Sequence, residues 1–239
     1  MKKYFALVLW LCAVSAAFAG PPKNQYVRIK TSYGTCIIRL YNETPGHRDN
    51  FIKLAKQGVY NGLLFHRVIQ NFMIQGGDPD SKTAKPGAAL GDGDLKYTVD
   101  AEFRDSLFHK RGVLAAARNS DDVNPKRASS ASQFYIVEGK RYTDADLDKV
   151  EKLPRYAGMN YKIPQSQREI YKTVGGTPSL DRLYTVYGEV VSGLDMVDRI
   201  AAVPKDARDR PLQDVPMTVE VLSKRECKQL DKILGIPEN

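Results

Sequence analysis

From Tyr26 onward the apolar residues fall in short alternating runs, and this pattern constrains the fold more than any other feature of the chain. Runs 26–31 and 34–41 alternate around Ser32-Tyr33-Gly34, the signature of a hairpin. Further strand-like runs lie at 63–69, 72–75, 97–101, 112–117, 134–137, 184–190 and 218–222. Only two segments between them switch to helical spacing. Thr44-Pro45 reads as a cap and first-turn proline before Phe51, Leu54 and Ala55, and Ser192 precedes Met196, Val197 and Ile200. Many short strands with two helices far apart in sequence predict a mainly β fold, a closed antiparallel barrel with helical covers.

Residues 139–178 break the strand rhythm. Thr143-Asp144-Ala145-Asp146 starts a helix with acidic residues in its first turn, and Pro164 opens another that ends at Gly175-Gly176. This segment reads as a helical insertion within a barrel domain spanning 26–223, followed by a tail, 224–239, with a short helix. At the other end, Lys2 and Lys3 precede an apolar stretch, 4–14, and Ala17-Phe18-Ala19 places small residues where a signal peptidase reads. The stretch is too short for a stable span of about 20 residues. Residues 1–19 are therefore expected to be a cleaved export signal, with the periplasm as destination or, alternatively, secretion. No later run is long enough to cross a membrane.

The formal net charge is +8, two units of which sit on Lys2 and Lys3. The rest is dispersed in pairs such as Lys110-Arg111 and Lys126-Arg127 rather than gathered on one face, so a nucleic-acid partner is not expected. Cys36 alternates with Ile38 and Leu40 as a small buried thiol would, while a disulfide with Cys227 stays open.

Three segments are odd as pure core. "FHRVIQNFMIQGGDP", 65–79, is apolar yet carries Arg67 and Gln75, and burying a guanidinium costs several kcal/mol unless it is paired or partly wet. On a regular strand Met73 and Gln75 share one face, and Phe72 and Ile74 the other. "SQFYIV", 132–137, presents Gln133 and Tyr135 opposite a core face, and "GVLAAARN", 112–119, supplies a floor of small residues. Together they make an apolar hollow with a few fixed donors, the usual composition of a ligand site.

These motifs, with "SLDRLYTVYGEVVSGLDMVDRI" after them, resemble the cyclophilin family of peptidyl-prolyl isomerases over about residues 31–222. The resemblance implies an eight-stranded closed antiparallel barrel capped by two helices. It implies Arg67 as the catalytic arginine with Gln75 beside it. Phe72, Met73, Tyr135 and Leu180 match the walls of a proline pocket, Gln75 and Gln133 the substrate-orienting amides, and Ala117, Arg118 and Asn119 a peptide-binding edge. Tyr184 stands where many members have histidine, Ser179 where many have tryptophan, Arg118 where asparagine is common, and Tyr135 where phenylalanine is common. The implied reaction breaks no bond and calls for no cofactor or metal. The implied partners are proline-containing unfolded or partly folded polypeptides, met by a monomer during the folding of exported proteins. A proline-peptide binding module with little turnover is the alternative. His47, His66 and His109 lack metal-ligand spacing, and "GAALGDGD", 87–94, lacks the Lys-Ser/Thr of a phosphate loop.

Overall fold

The structure, a computed structural model, describes residues 24–236. Residues 1–19, and with them the expected export signal, lie outside the described residues. Chain order runs β1 (Gln25–Thr31), β2 (Gly34–Leu40), α1 (Pro45–Lys56), β3 (Phe65–Ile69), β4 (Met73–Gly76), β5 (Thr98–Val99), β6 (Val113–Ala116), β7 (Ser129–Ser130) and β8 (Phe134–Val137). It continues with α2 (Asp144–Glu151), α3 (Gln165–Thr173), β9 (Val186–Ser192), α4 (Leu194–Ala201), β10 (Thr218–Val221) and α5 (Lys224–Leu234).

Eight strands form one antiparallel sheet in the order β10-β1-β2-β9-β6-β8-β4-β3, and β5 pairs with β7 apart from it. The closed barrel expected from the sequence is not formed, because β10 and β3 are the two ends of the sheet. Between them the segment entering β10 makes single bonds: Gly62 N–H to Met217 O and Met217 N–H to Leu63 O, both 2.9 Å. Pro216 lies in this seam opposite Leu64 as a non-hydrogen-bonded pair, flanked by the Met217 bond and by Phe65 N–H to Val215 O at 2.9 Å, and the pairing does not extend beyond this short join.

Two other expectations change. The run 97–101 contributes only the two residues of β5, whereas the five helices fall where the sequence places them: two beside the sheet, two within 139–178 and one in 224–239. α1 packs beside β10 and β9, α4 beside β2, β3 and β4, while α2 and α3 fall within 139–178. Ser192 ends β9 and does not cap α4; the cap position is Gly193, whose φ of +77° an L side chain rarely adopts. By contrast Thr143 and Ser223 each form a reciprocal capping box, with Asp146 and Glu226, which fixes where α2 and α5 begin.

Alternation explains the core. Ile74, Leu114, Ala116, Phe134 and Ile136 face inward with Val27, Ile29, Cys36, Ile38 and Leu40. Phe134 meets Phe51, Tyr60 and Phe65 edge-on at centroid distances of 5.5, 5.7 and 6.0 Å. Such edge-to-face pairs add about 0.5–1.5 kcal/mol each beyond the area they bury. The opposite face of β4, β6 and β8 carries Met73, Val113, Ala115, Tyr135 and Val137, which form a separate apolar cluster with Leu180 and Val186. Cys36 and Cys227 are both buried free thiols in different clusters, so the disulfide alternative is not realised. Among the described residues no helix is long and apolar enough to cross a membrane.

Candidate functional site

The outward cluster borders an open cavity of about 160 Å³ lined by Arg67, Phe72, Met73, Gln75, Ala117, Arg118, Tyr135, Leu180 and Tyr184. Arg67 reaches it because of a local irregularity in β3. Phe65 pairs with Gly76 and Arg67 with Gln75, so His66 is one extra residue on that strand. Were His66 paired in regular register, Phe65 and Arg67 would share the inward face. The bulge turns Arg67 outward and returns Val68 to the core, the re-aiming such bulges perform. This resolves how an arginine sits in an apolar strand: its side chain is 42% exposed and stays hydrated. Its Nε lies 3.8 Å from an Asp209 carboxylate oxygen. Asp209 is held by its own carbonyl, which accepts from Val68 N–H at 2.8 Å, and by Lys205, whose Nζ donates at 2.7 Å.

Phe72 lies just before β4, after Asn71 at φ +63°, so strict alternation does not apply to it and it joins Met73 at the cavity. Its carbonyl accepts from Glu138 and Gly139 N–H at 3.1 and 3.0 Å, which anchors it to the end of β8. Gln75 donates from Nε2 to Gln133 Oε1 at 3.1 Å, and Gln133 Nε2 donates to Gly91 O and Gly93 O, both at 2.8 Å. Gln133 is buried and thus orients Gln75 rather than lining the cavity. It borders, with Asn119, a second hollow of about 270 Å³ that also touches Gln75, Ala117, Arg118, Asp92 and Asp94.

Arg118 stands between the hollows, with several of its donors held by this chain. Nε donates to Leu183 O at 2.8 Å, Nη1 to Asn119 O at 2.8 Å, and Nη1 pairs with Asp121 at 2.6 Å. The guanidinium lies 4.5 Å from the Tyr184 ring centroid, as a stacked planar cation does. Arg118 is therefore a partition between the hollows, its Nε and Nη1 already engaged by this chain. Tyr135 gives its ring to the cavity wall and turns its hydroxyl away, to His109 Nε2 at 2.8 Å. The hydroxyl that distinguishes Tyr135 from the common phenylalanine is thus sequestered from the cavity, and burial pushes its pKa well up.

Asp209, His109 and Asp181 escape sequence reasoning. They lie 142, 42 and 114 residues from Arg67, and no local spacing joins them. A second histidine arrangement has the partners of a Ser-His-acid triad: His47 Nδ1 is 2.7 Å from Glu102 and Nε2 2.9 Å from Ser129 Oγ. Ser129 is 1% exposed, so no substrate reaches its hydroxyl. Among the described residues no three His, Cys, Asp or Glu side chains gather to hold a metal ion.

Comparison with known proteins agrees with this geometry. Residues 26–221 match the family model described as cyclophilin type peptidyl-prolyl cis-trans isomerase/CLD. A Staphylococcus aureus protein named as a peptidyl-prolyl cis-trans isomerase is 34% identical over 190 residues, 79% of this chain and 87% of that protein. A Streptococcus pyogenes protein named as a bifunctional phosphatase/peptidyl-prolyl cis-trans isomerase is 34% identical over 211 residues, 82% of this chain, which spans only 38% of that longer protein. In three dimensions the chain is similar to a Cryptosporidium parvum cyclophilin type isomerase, with a TM-score of 0.58 and 24% identity over 84% of this chain and 99% of that one.

Proposed function

Because the chain belongs to the cyclophilin type peptidyl-prolyl cis-trans isomerase family, we propose that it catalyses rotation about X–Pro peptide bonds at the Arg67 cavity. The barrier to that rotation is about 18–20 kcal/mol, because resonance gives the C–N bond double-bond character. In the twisted state the proline nitrogen regains a lone pair. A guanidinium aimed at that nitrogen binds the twisted state better than the planar one, which is what lowers a barrier. Arginine suits the task because its charge is permanent and its donors form a fixed fork.

The cavity supports the remaining roles. Phe72, Met73, Tyr135, Leu180 and Tyr184 offer apolar walls to a proline ring, and Ala117 leaves room beside them. Gln75, oriented by Gln133, reaches the flanking peptide backbone, and Asn119 borders the hollow along which a peptide would continue. The observation that carries the proposal is the His66 bulge, which places one hydrated guanidinium at the mouth of an apolar cavity.

The test is the cis–trans exchange rate of a short Ala-Pro peptide with wild type and Arg67→Ala. Loss of one such preorganised donor is expected to lower kcat/KM about 100-fold with peptide still bound. A wild type that binds the peptide yet leaves the uncatalysed rate unchanged is instead a proline-peptide binding module.

We further propose that the working unit is a monomeric barrel domain with 139–178 inserted in it, exported to the periplasm to act on folding envelope proteins. Lys2, Lys3, the apolar run 4–14 and Ala17-Phe18-Ala19 support export. Amino-terminal sequencing of the mature protein from fractionated cells checks it; a retained Met1 in the cytosolic fraction rules it out.

A further inference from the structure

Behind the cavity wall lies a buried polar cluster that the proposed reaction does not use. Asp181 Oδ1 accepts from the His109 backbone N–H at 2.8 Å and from its ring Nδ1 at 2.9 Å. Asp181 Oδ2 accepts from the hydroxyls of Tyr171 at 2.7 Å and Tyr161 at 3.0 Å. The other ring nitrogen, Nε2, lies 2.8 Å from the Tyr135 hydroxyl, so the imidazole joins the carboxylate to Tyr135 through hydrogen bonds at both nitrogens. His109 and Asp181 are 0% and 3% exposed, so the cluster is sealed from solvent.

Two of its donors, Tyr161 and Tyr171, come from the inserted segment. The exit of that segment also grips His109: Thr177 N–H donates to His109 O at 2.8 Å, and a Cβ on Gly176 would stand 2.2 Å from the same oxygen. The turn Pro178–Leu180 then supplies Leu180 to the cavity wall and Asp181 to the cluster in consecutive residues. The Tyr135 ring lies nearly parallel to the His109 imidazole, 14° apart with centroids 6.0 Å distant, and meets Tyr184 edge-on at 6.0 Å.

An apolar wall needs no hydroxyl. Burying an imidazole and a carboxylate to reach one rarely stabilises a protein more than well-packed hydrophobic residues would. What a fully satisfied buried network does supply is a single fixed geometry. We infer that His109 and Asp181 are positioning residues that hold the Tyr135 ring through its hydroxyl, and so make the inserted segment 139–178 part of the substrate-binding apparatus. This inference rests on the assignment of the cavity to the substrate proline.

The experiment is a double-mutant cycle on the full mature chain with Tyr135→Phe, His109→Asn and the pair. Tyr135→Phe removes only the hydroxyl. His109→Asn keeps a side-chain N–H for Asp181 but cannot reach Tyr135. Each single change is expected to raise KM for an Ala-Pro peptide about three- to tenfold with kcat within about twofold, and the pair to do no more than the larger single effect. Additive effects in the pair, or unchanged KM in both single variants, overturn the inference. Should His109→Asn not fold, Tyr171→Phe replaces it in the cycle, with the same non-additivity expected from a smaller rise. Arg67→Ala, assayed alongside for peptide binding by NMR shifts, separates the two readings. Peptide shifts that miss Phe72 and Met73 refute the assignment of the cavity, whereas shifts at those residues with additive His109 and Tyr135 effects refute only the positioning role.

Discussion

The two faces of strands β4, β6 and β8 share a backbone and differ in almost everything else. Inward, Ile74, Leu114, Phe134 and Ile136 are fully buried and meet only apolar neighbours and aromatic edges. Outward, Met73, Ala115, Tyr135 and Val137 are nearly as buried, yet Met73 and Tyr135 border an open cavity and Tyr135 reaches a hydrogen-bonded cluster behind it. Burial alone therefore does not distinguish core from site in this molecule. The distinction lies in what covers each face: the inner one is closed by the sheet itself, α1 and α4, the outer one by loops and segment 139–178.

The largest effect that tests this contrast is expected from Phe134→Ala, which opens a cavity among Phe51, Tyr60 and Phe65. Urea denaturation should show a loss of about 3–5 kcal/mol, with KM of the remaining folded protein little changed. Next comes His66, the residue at which the faces exchange. Both its ring nitrogens lack a partner among the described residues, and burial pushes its pKa down to about 4 from 6.5. The unfolded chain therefore binds a proton more readily than the folded one. Stability present above pH 6.5 is lost as pH falls toward 4. Between pH 7 and pH 4.5 the wild type should lose about 2–3 kcal/mol more than His66→Asn. Equal pH profiles for the two would show that the bulge residue is not sealed as the inner face is. The smallest effect on stability is expected from Phe72→Ala on the outer face. It should cost about 1 kcal/mol in the same denaturation assay, since the ring is only partly buried, while KM for an Ala-Pro peptide rises about tenfold.

The strands were legible in the sequence because one face of each enters an apolar core, which writes period-two alternation directly into residue choice. Met73 and Gln75 could be placed on one face in this way, and Gly112 to Ala117 could be read as a floor. The role of Arg67 came from resemblance, since the bulge that turns it outward leaves no compositional mark; the extra residue, His66, is buried like Phe65 before it. The polar partners were illegible for another reason. Asp209 meets Arg67, and Asp181 meets His109, across long sequence separations, and nothing in either local segment names its partner. The seam was misjudged because residues 62–65 and 215–217 meet through a few isolated bonds, and the apolar pattern does not distinguish such a short join from a continuous ladder.

The pairing of β1 with β10 has a consequence for how the chain reaches this state. Val27 faces Val221 across 194 residues, so the first strand to be synthesised waits for the last before its second edge is covered. During that interval β1 is a bare template onto which another chain could add a strand. Arg28 and Lys30 lie along that edge, and in the finished protein both pair with Glu220 of β10. Before β10 arrives the same two cations repel like-charged strands, so the residues that later select the correct partner first serve to delay the wrong ones.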